Sequence, residues 1–290
     1  MTPRAQLIPV LILLSAVIYL TGCSVKPVEF PSVNYSANKT HTPGQIVWRD
    51  LISPDPAKSI EFYSNVFGWT AVKSGSDEDP YWLFKLNGKP IAGMVQMKEE
   101  RKRSGGEWVQ YYSLNTQEDF YTRAKSLGAS QIFKPLQIPG RGKVSLYTDP
   151  DGAYFALINS SNGDPEFTEP SDFQFLWSEL WSNNTDKSSE FYKNAFNFQL
   201  EEKKDDTRNY IVLKNNDKLV SGIIKNPAEN VRNHWLQYIR VSDVKSIEQK
   251  AISAGAKVII PSDPKIRKGT VSVFIDPTGA PVGIQKWPIE

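Results

Sequence analysis

The chain has 290 residues, 40% of them hydrophobic and 12% aromatic, which is enough to bury a substantial core and long enough for two ordinary domains. Lys and Arg number 34 against 32 Asp and Glu, and a net charge of +2 gives no electrostatic reason to expect nucleic acid or an acidic macromolecule as partner. The single cysteine, Cys23, excludes a disulfide framework and any CxxC metal or redox site.

Arg4 supplies a short positive n-region, and "LIPVLILLSAVIYL" from Leu7 is an apolar h-region of the length a secretory signal needs. The run stops at "LTGC", Leu20 to Cys23, which resembles a bacterial lipobox. That resemblance implies a signal peptide over 1–22 that is removed, and a Cys23 thiol that carries the lipid. Ser24 then points to the outer membrane rather than the inner one. The Pro-, Ser-, Asn- and Thr-rich stretch over 23–44 reads as a flexible tether between bilayer and folded domains. The alternative is an uncleaved N-terminal anchor.

Beyond the tether the chain repeats itself. "SIEFYSNVFGW" from Ser59 returns as "SSEFYKNAFNF" from Ser188, 129 residues later. Ile60, Tyr63 and Phe67, flanked by Phe62 and Val66, fall on one helical face. Asp55 as N-cap, Pro56 at the first helical position and Gly68 just past the end mark the helix termini, and Asn184, Thr185 and Asn197 take those places in the copy. Each helix follows a strand-like run, "QIVWRDLIS" or "QFLWSELWS". Each precedes a hairpin-like one, "YWLFKLNGKPIAGMV" or "YIVLKNNDKLVSGII", broken at Asn87-Gly88 or Asn215-Asn216.

A second unit repeats at an offset of 127 residues. "WVQYYSL" from Trp108 answers "WLQYIRV" from Trp235, and each leads to a helix ending at Gly128 or Gly255. Then come "KVSLYTDPDGAYFALI" and "TVSVFIDPTGAPVGIQ", whose Asp-Pro-x-Gly segments suit a type I turn between strands. The reading is therefore α+β, with domains over 45–158 and 172–290 and a linker over 159–171. The basic cluster from Lys98, "KEERKRSGG", contains two acids and reads as a solvated loop.

The segments "DPAKSIEFYSNVFGW", "DPDGAYFALI", "FYKNAFNF" and "DPTGAPVGI" resemble the vicinal oxygen chelate superfamily, the glyoxalase, bleomycin-resistance and extradiol-dioxygenase group. The resemblance implies two tandem glyoxalase-like domains, each a cupped sheet of paired βαβββ modules. In the enzymes of this group a divalent metal sits on His, Gln or Glu side chains in the cup. Carried onto this sequence, those places fall at Val47 or Trp48, Val109, Ala156, and Met94 or Gln96 in the first domain. In the second they fall at Leu176 or Trp177, Leu236, Gly283, and Ile223 or Lys225. The chain has only two histidines: His41, in the tether and expected to be solvated, and His234, at a strand start and expected to be exposed, with the second cup as the alternative. The expectation is that no metal or other cofactor is held.

Period-2 alternation with Val47 and Leu51 toward the helix sends Trp48 and Asp50 into the first cup, and Trp177 and Glu179 into the second. Asp50 and Glu179 are the candidate catalytic carboxylates, able to bind metal, act as bases, recognise a ligand or pair with a nearby cation. Trp48, Tyr111, Trp177 and Tyr238 occupy equivalent repeat positions, and Tyr154 shares parity with Ala156. Together with the carboxylates they form the candidate ligand-binding set, with core filling as the alternative. Three readings stay open: a metal-free lipoprotein binding a small organic ligand, a lyase, isomerase or dioxygenase with unconventional oxygen ligands, and an envelope scaffold. The two domains are expected to pair within one chain, as a monomer.

Overall fold

The computed structural model describes residues 30–36, 39–74, 80–98, 105–205, 208–228 and 231–288. The expected signal over 1–22 and Cys23 lie outside them. The first domain runs β1 (Ile46–Ser53), α1 (Pro56–Phe67), β2 (Thr70–Lys73), β3 (Tyr81–Leu86), β4 (Lys89–Gln96), β5 (Glu107–Ser113), α2 (Glu118–Ser126), β6 (Ser130–Ile138), β7 (Gly142–Thr148) and β8 (Tyr154–Ser160). The second repeats that order as β9 (Phe175–Ser182), α3 (Thr185–Phe196), β10 (Gln199–Asp205), β11 (Arg208–Asn215), β12 (Lys218–Lys225), β13 (His234–Val241), α4 (Val244–Ser253), β14 (Lys257–Ile260), β15 (Val271–Ile275) and β16 (Pro281–Lys286).

Each domain is one eight-stranded mixed sheet, ordered β2-β3-β4-β1-β5-β8-β7-β6 or β10-β11-β12-β9-β13-β16-β15-β14. The strand before each helix lies parallel to the last strand of its own module, as β1 does with β4 and β13 with β16. The two modules of a sheet then meet antiparallel at its centre, β1 on β5 and β9 on β13. This is the expected α+β architecture of two tandem domains built from paired βαβββ modules.

Local chemistry sets the helix ends as predicted. The Asp55 side chain accepts from Lys58 N at 3.2 Å and that of Asn184 from Lys187 N at 3.0 Å, satisfying first-turn donors that have no intrahelical partner. Gly68 at φ 71° and Asn197 at φ 61° close the helices in the left-handed conformation. Alternation fails at one place in β1. The pairing of β1 with β5 shifts between Ile46 and Trp48, and an extra residue there puts Val47 into the same cluster as Trp48 instead of toward the helix.

The helices of the two domains share their cores. Phe62, Tyr63, Val66 and Phe67 of α1 pack with Ile239, Val244, Ile247, Phe274 and Ile284 of the second domain. Phe120 of α2 packs with Phe191, Tyr192 and Trp235. The contacts obey a pseudo-twofold, as a self-complementary interface between two like domains must. Tyr63 Oη donates to Asp276 Oδ2 at 3.0 Å while accepting from Trp108 Nε1 at 2.8 Å. Tyr192 Oη donates to Asp149 Oδ2 at 3.3 Å while accepting from Trp235 Nε1 at 3.0 Å. The Tyr of each "EFY" helix thus meets the Asp of the other domain's Asp-Pro-x-Gly turn. Arg49 breaks the symmetry, because Ser178 stands at its repeat position; its Nε donates to Gln237 Oε1 at 2.7 Å across the interface.

The stretch expected to be a flexible tether packs against the first domain at Phe30, Val33 and Asn34, while Tyr35, Ser36, Lys39, Thr40 and Pro43 are exposed. Phe30 and Val33 are 7% and 4% exposed. Phe30 N donates to Pro139 O at 3.1 Å, and Asn34 Nδ2 donates to Asp164 O at 2.9 Å and Asn162 O at 3.1 Å. Composition registers the polar residues here but not that two apolar side chains, three apart, have a cup mouth to enter. The linker expected over 159–171 is likewise pinned at its start, since Asp164 is buried and Thr42 N donates to its Oδ2 at 2.5 Å.

Candidate functional site

In the first cup, Trp48 and Asp50 of β1 stand opposite Tyr111 and Val109 of β5. Asp50 is 4% exposed and its carboxylate is ringed by donors. Oδ1 accepts from Trp48 Nε1 at 2.8 Å and from Tyr81 Oη at 2.8 Å, and Oδ2 accepts from Tyr111 Oη at 2.6 Å. Arg141, from the turn before β7 and only 1% exposed, faces the same carboxylate with Nη1 3.7 Å from Oδ2. Its Nη2 donates to Tyr81 Oη at 2.7 Å and its Nε to Pro31 O at 3.1 Å, while its plane lies 5.0 Å from the Trp48 and Tyr81 rings. Nη1 has no hydrogen-bond partner. Beside it is an open space of about 50 Å³ whose apolar wall includes Ile52, Val95, Val109, Leu146 and Ala156. That is room for a few waters at roughly 10–15 Å³ each, or for a small organic group.

The second cup repeats the chemistry and fills the space. Glu179 is 0% exposed; its Oε1 accepts from Trp181 Nε1 at 3.0 Å and from Tyr238 Oη at 2.8 Å, and its Oε2 accepts from Arg267 Nη2 at 3.1 Å. Trp177 Nε1 donates to Tyr210 Oη at 2.7 Å. Trp181 occupies the repeat position of Ile52, and its ring joins Leu236, Tyr238, Val271 and Val273 in a closed cluster. Trp181 in place of Ile52 thus puts bulk on the second cup's wall that the first cup lacks.

The structure brings Trp48, Asp50 and Tyr111 together, and likewise Trp177, Glu179 and Tyr238. Tyr154 is apart from these contacts: it packs beside Ala156 and Leu146, with the Arg232 guanidinium of the second domain 5.1 Å over its ring. Sequence reasoning missed Tyr81, Tyr210, Arg141 and Arg267. The two tyrosines were readable, being 129 residues apart in matching hairpins, as are Gly93 and Gly222. A Cβ on Gly93 would collide with Tyr81 Oη and Asp50 Oδ1, and one on Gly222 with Tyr210 Oη, so those glycines are the space the phenols need. The arginines lie 126 residues apart, one off the repeat, in loops with no periodicity to betray them.

Burial raises the phenol pKa of Tyr81, Tyr111, Tyr210 and Tyr238, and the adjacent carboxylate adds to that, so all four remain protonated donors. Burial opposes the charge on Arg141 and Arg267, but the surrounding phenols and carboxylates outweigh it and hold both guanidiniums charged. Each carboxylate thus sits in a neutralised, donor-rich cage. Such a cage can orient a polar ligand, but it directs no lone pair at an incoming proton. His41, expected to be solvated, lies 3.6 Å from Asp164 Oδ1. His234, expected at an exposed strand end, is 8% exposed and packs edge-on to Trp181 at 5.4 Å, with burial lowering its pKa.

These residues do not fit a divalent metal. Among the described residues no three His, Cys, Asp or Glu side chains converge. Val109 and Ala156 line the first cup without a lone pair, and Met94 turns to the helix side, leaving Val95 on the cup wall. Asp50 is the one oxygen anion, and a guanidinium already stands where a second positive charge would be repelled.

The comparisons agree with the fold. The protein CFP32 of Mycobacterium tuberculosis (strain CDC 1551 / Oshkosh), a candidate glyoxylase, is 27% identical over 250 residues, covering 82% of this chain and 93% of its own. The anthracycline biosynthesis protein DnrV of Streptomyces peucetius is 26% identical over 253 residues, covering 82% and 91%. Among solved structures, the Mn(II)-bound glyoxalase from Novosphingobium aromaticivorans superposes with a TM-score of 0.56 at 16% identity, covering 84% of this chain and 82% of that one. The 4-hydroxymandelate synthase of Streptomyces coelicolor, as a triple mutant, gives 0.54 at 10% identity, covering 84% and 92%. The family model of the Glyoxalase/Bleomycin resistance protein/Dioxygenase superfamily matches residues 44–157 and again 174–284, one match to each eight-stranded sheet, and the chain belongs to that superfamily.

Proposed function

We propose that this chain is a binding lipoprotein of the bacterial envelope, anchored through acylated Cys23, and that its first cup takes a small organic ligand.

 The outer membrane is the address that Ser24 indicates, and the chain acts as a monomer whose domains cover each other's helices. The observation that carries the ligand reading is Arg141 Nη1, a buried cationic donor without a hydrogen-bond partner at the edge of an open apolar space. A donor of that kind costs about 1–3 kcal/mol while unsatisfied, and a ligand acceptor recovers it. The second cup has no such vacancy of contact, because Arg267 Nη2 reaches Glu179 and Trp181 fills the wall. It serves as the structural partner of the first.

No reaction is assigned to either carboxylate. The relatives' names, a glyoxylase and an anthracycline biosynthesis protein, support a small organic ligand. The test is a fragment library screened by ligand-observed NMR against the wild-type chain and Ile52→Trp, which gives the first cup the residue that closes the second. The reading requires fragments that bind the wild type and are lost in Ile52→Trp. Fragments that bind both chains equally would place the site elsewhere. For the anchor, Cys23→Ser should move the chain out of the membrane fraction, and an unchanged distribution would sink that part.

A further inference from the structure

The mouth of the first cup is already occupied by a piece of this chain. The Phe30 ring stacks on Tyr81 with centroids 4.6 Å apart and planes at 29°, and it forms part of the wall of the open space. One residue on, the Pro31 carbonyl accepts from Arg141 Nε at 3.1 Å. Val33 is buried in the same cluster as Trp48 and Tyr81, and Asn34 ties the segment down through its two bonds to the 162–164 loop. The second cup has no counterpart to this strap among the residues that pack in it.

A segment bound in this way reports what the cup accepts. It offers an aromatic face to a phenol ring and a neutral carbonyl to a guanidinium, and it brings no charge. The charged groups lining the space are Asp50 and Arg141, which neutralise each other, so an ionic ligand would meet no unpaired countercharge. Arg141 holds a further donor, Nη1, that the strap does not reach.

We infer that residues 30–33 are a built-in occupant of the first cup, displaced by an uncharged aryl carbonyl compound whose ring takes the place of Phe30 on Tyr81 and whose carbonyl accepts from Arg141 at Nη1, the donor that Pro31 does not reach. This rests on the reading of the first cup as a ligand site and names the ligand class. Binding and strap release are then one equilibrium, and the apparent affinity is reduced by the fraction of time the strap is closed.

The experiment uses the full chain with acetanilide as the neutral probe and benzoate as the charged control, for wild type, Phe30→Ala and Ile52→Trp. Phe30→Ala should bind acetanilide about tenfold tighter than wild type. Acetanilide should also speed amide hydrogen exchange over residues 30–36 in the wild type, and Ile52→Trp should abolish binding. If library fragments occupy the first cup but Phe30→Ala leaves acetanilide affinity and exchange over 30–36 unchanged, the strap proposal falls and the ligand site stands. A preference for benzoate in Phe30→Ala overturns the uncharged class. If neither acetanilide nor any fragment binds wild type or Phe30→Ala, both the proposal and the site reading fall.

Discussion

Asp50 and Arg141 each have a strong claim on the other, because each is buried and the remaining partners of both are neutral groups. Removing one charge strands the other in low dielectric, which costs about 3–5 kcal/mol. Asp50→Asn should therefore lower the free energy of unfolding by that order in urea titration, and Asp50→Asn with Arg141→Met should recover part of the loss. Additive losses would show that the two side chains are not coupled. Gly93→Ala tests the same cage from the other side. Its Cβ would overlap Tyr81 and Asp50, so a loss of about 1–3 kcal/mol from overpacking is expected, and an unchanged urea midpoint would contradict the packing described. The candidate site was legible in part at this scale. Trp48, Asp50 and Tyr111 follow from alternation along two strands, whereas Arg141 and Arg267 come from turns whose path depends on the whole sheet.

The two Asp-Pro-x-Gly turns carry more than their turn chemistry. Asp149 Oδ1 accepts from the backbone N of Asp151 and Ala153, each at 2.9 Å, while Oδ2 receives Tyr192 of the other domain. Burial pushes the Asp149 carboxyl up to about 6 from an ordinary value near 3.8. A raised carboxyl pKa means that the folded state holds its proton more tightly than the unfolded one. Its stabilising contribution is complete below about pH 4 and is lost as pH rises through about 6. Asp149→Asn keeps an acceptor at Oδ1 and removes the titration. The difference in stability between variant and wild type should therefore grow in favour of the variant from pH 4 to pH 6 and then level off, reaching about 2–3 kcal/mol. A difference independent of pH over that window would show that Asp149 titrates as it does in the unfolded chain. The helices, hairpins and turns were readable because each has a local signature at its ends. The strap was not, because its order comes from a cup mouth that brings Tyr81 together with Arg141 and the 162–164 loop, the latter two more than a hundred positions away.

The repeat explains the molecule as a whole. Tyr63 and Tyr192, the tyrosines of the duplicated helix motif, join the duplicated turn aspartates across the domain boundary, so the repetition encodes a self-complementary interface. Because both helix-side clusters draw residues from both domains, the chain should unfold in one calorimetric transition. Two separated transitions would mean that the domains are independent. The fold was legible at this scale from recurring motifs in a fixed order, while the difference between the cups was not, since it turns on Ile52 against Trp181 and on a strap with no repeat partner. The central claim is that an arginine, and not a metal, neutralises the carboxylate in each cup. Elemental analysis after loading the full chain with Mn, Fe, Ni or Zn and desalting tests it most directly. The account predicts no retained ion with any of the four. Near-stoichiometric metal that disappears in Asp50→Asn or Glu179→Gln would contradict it.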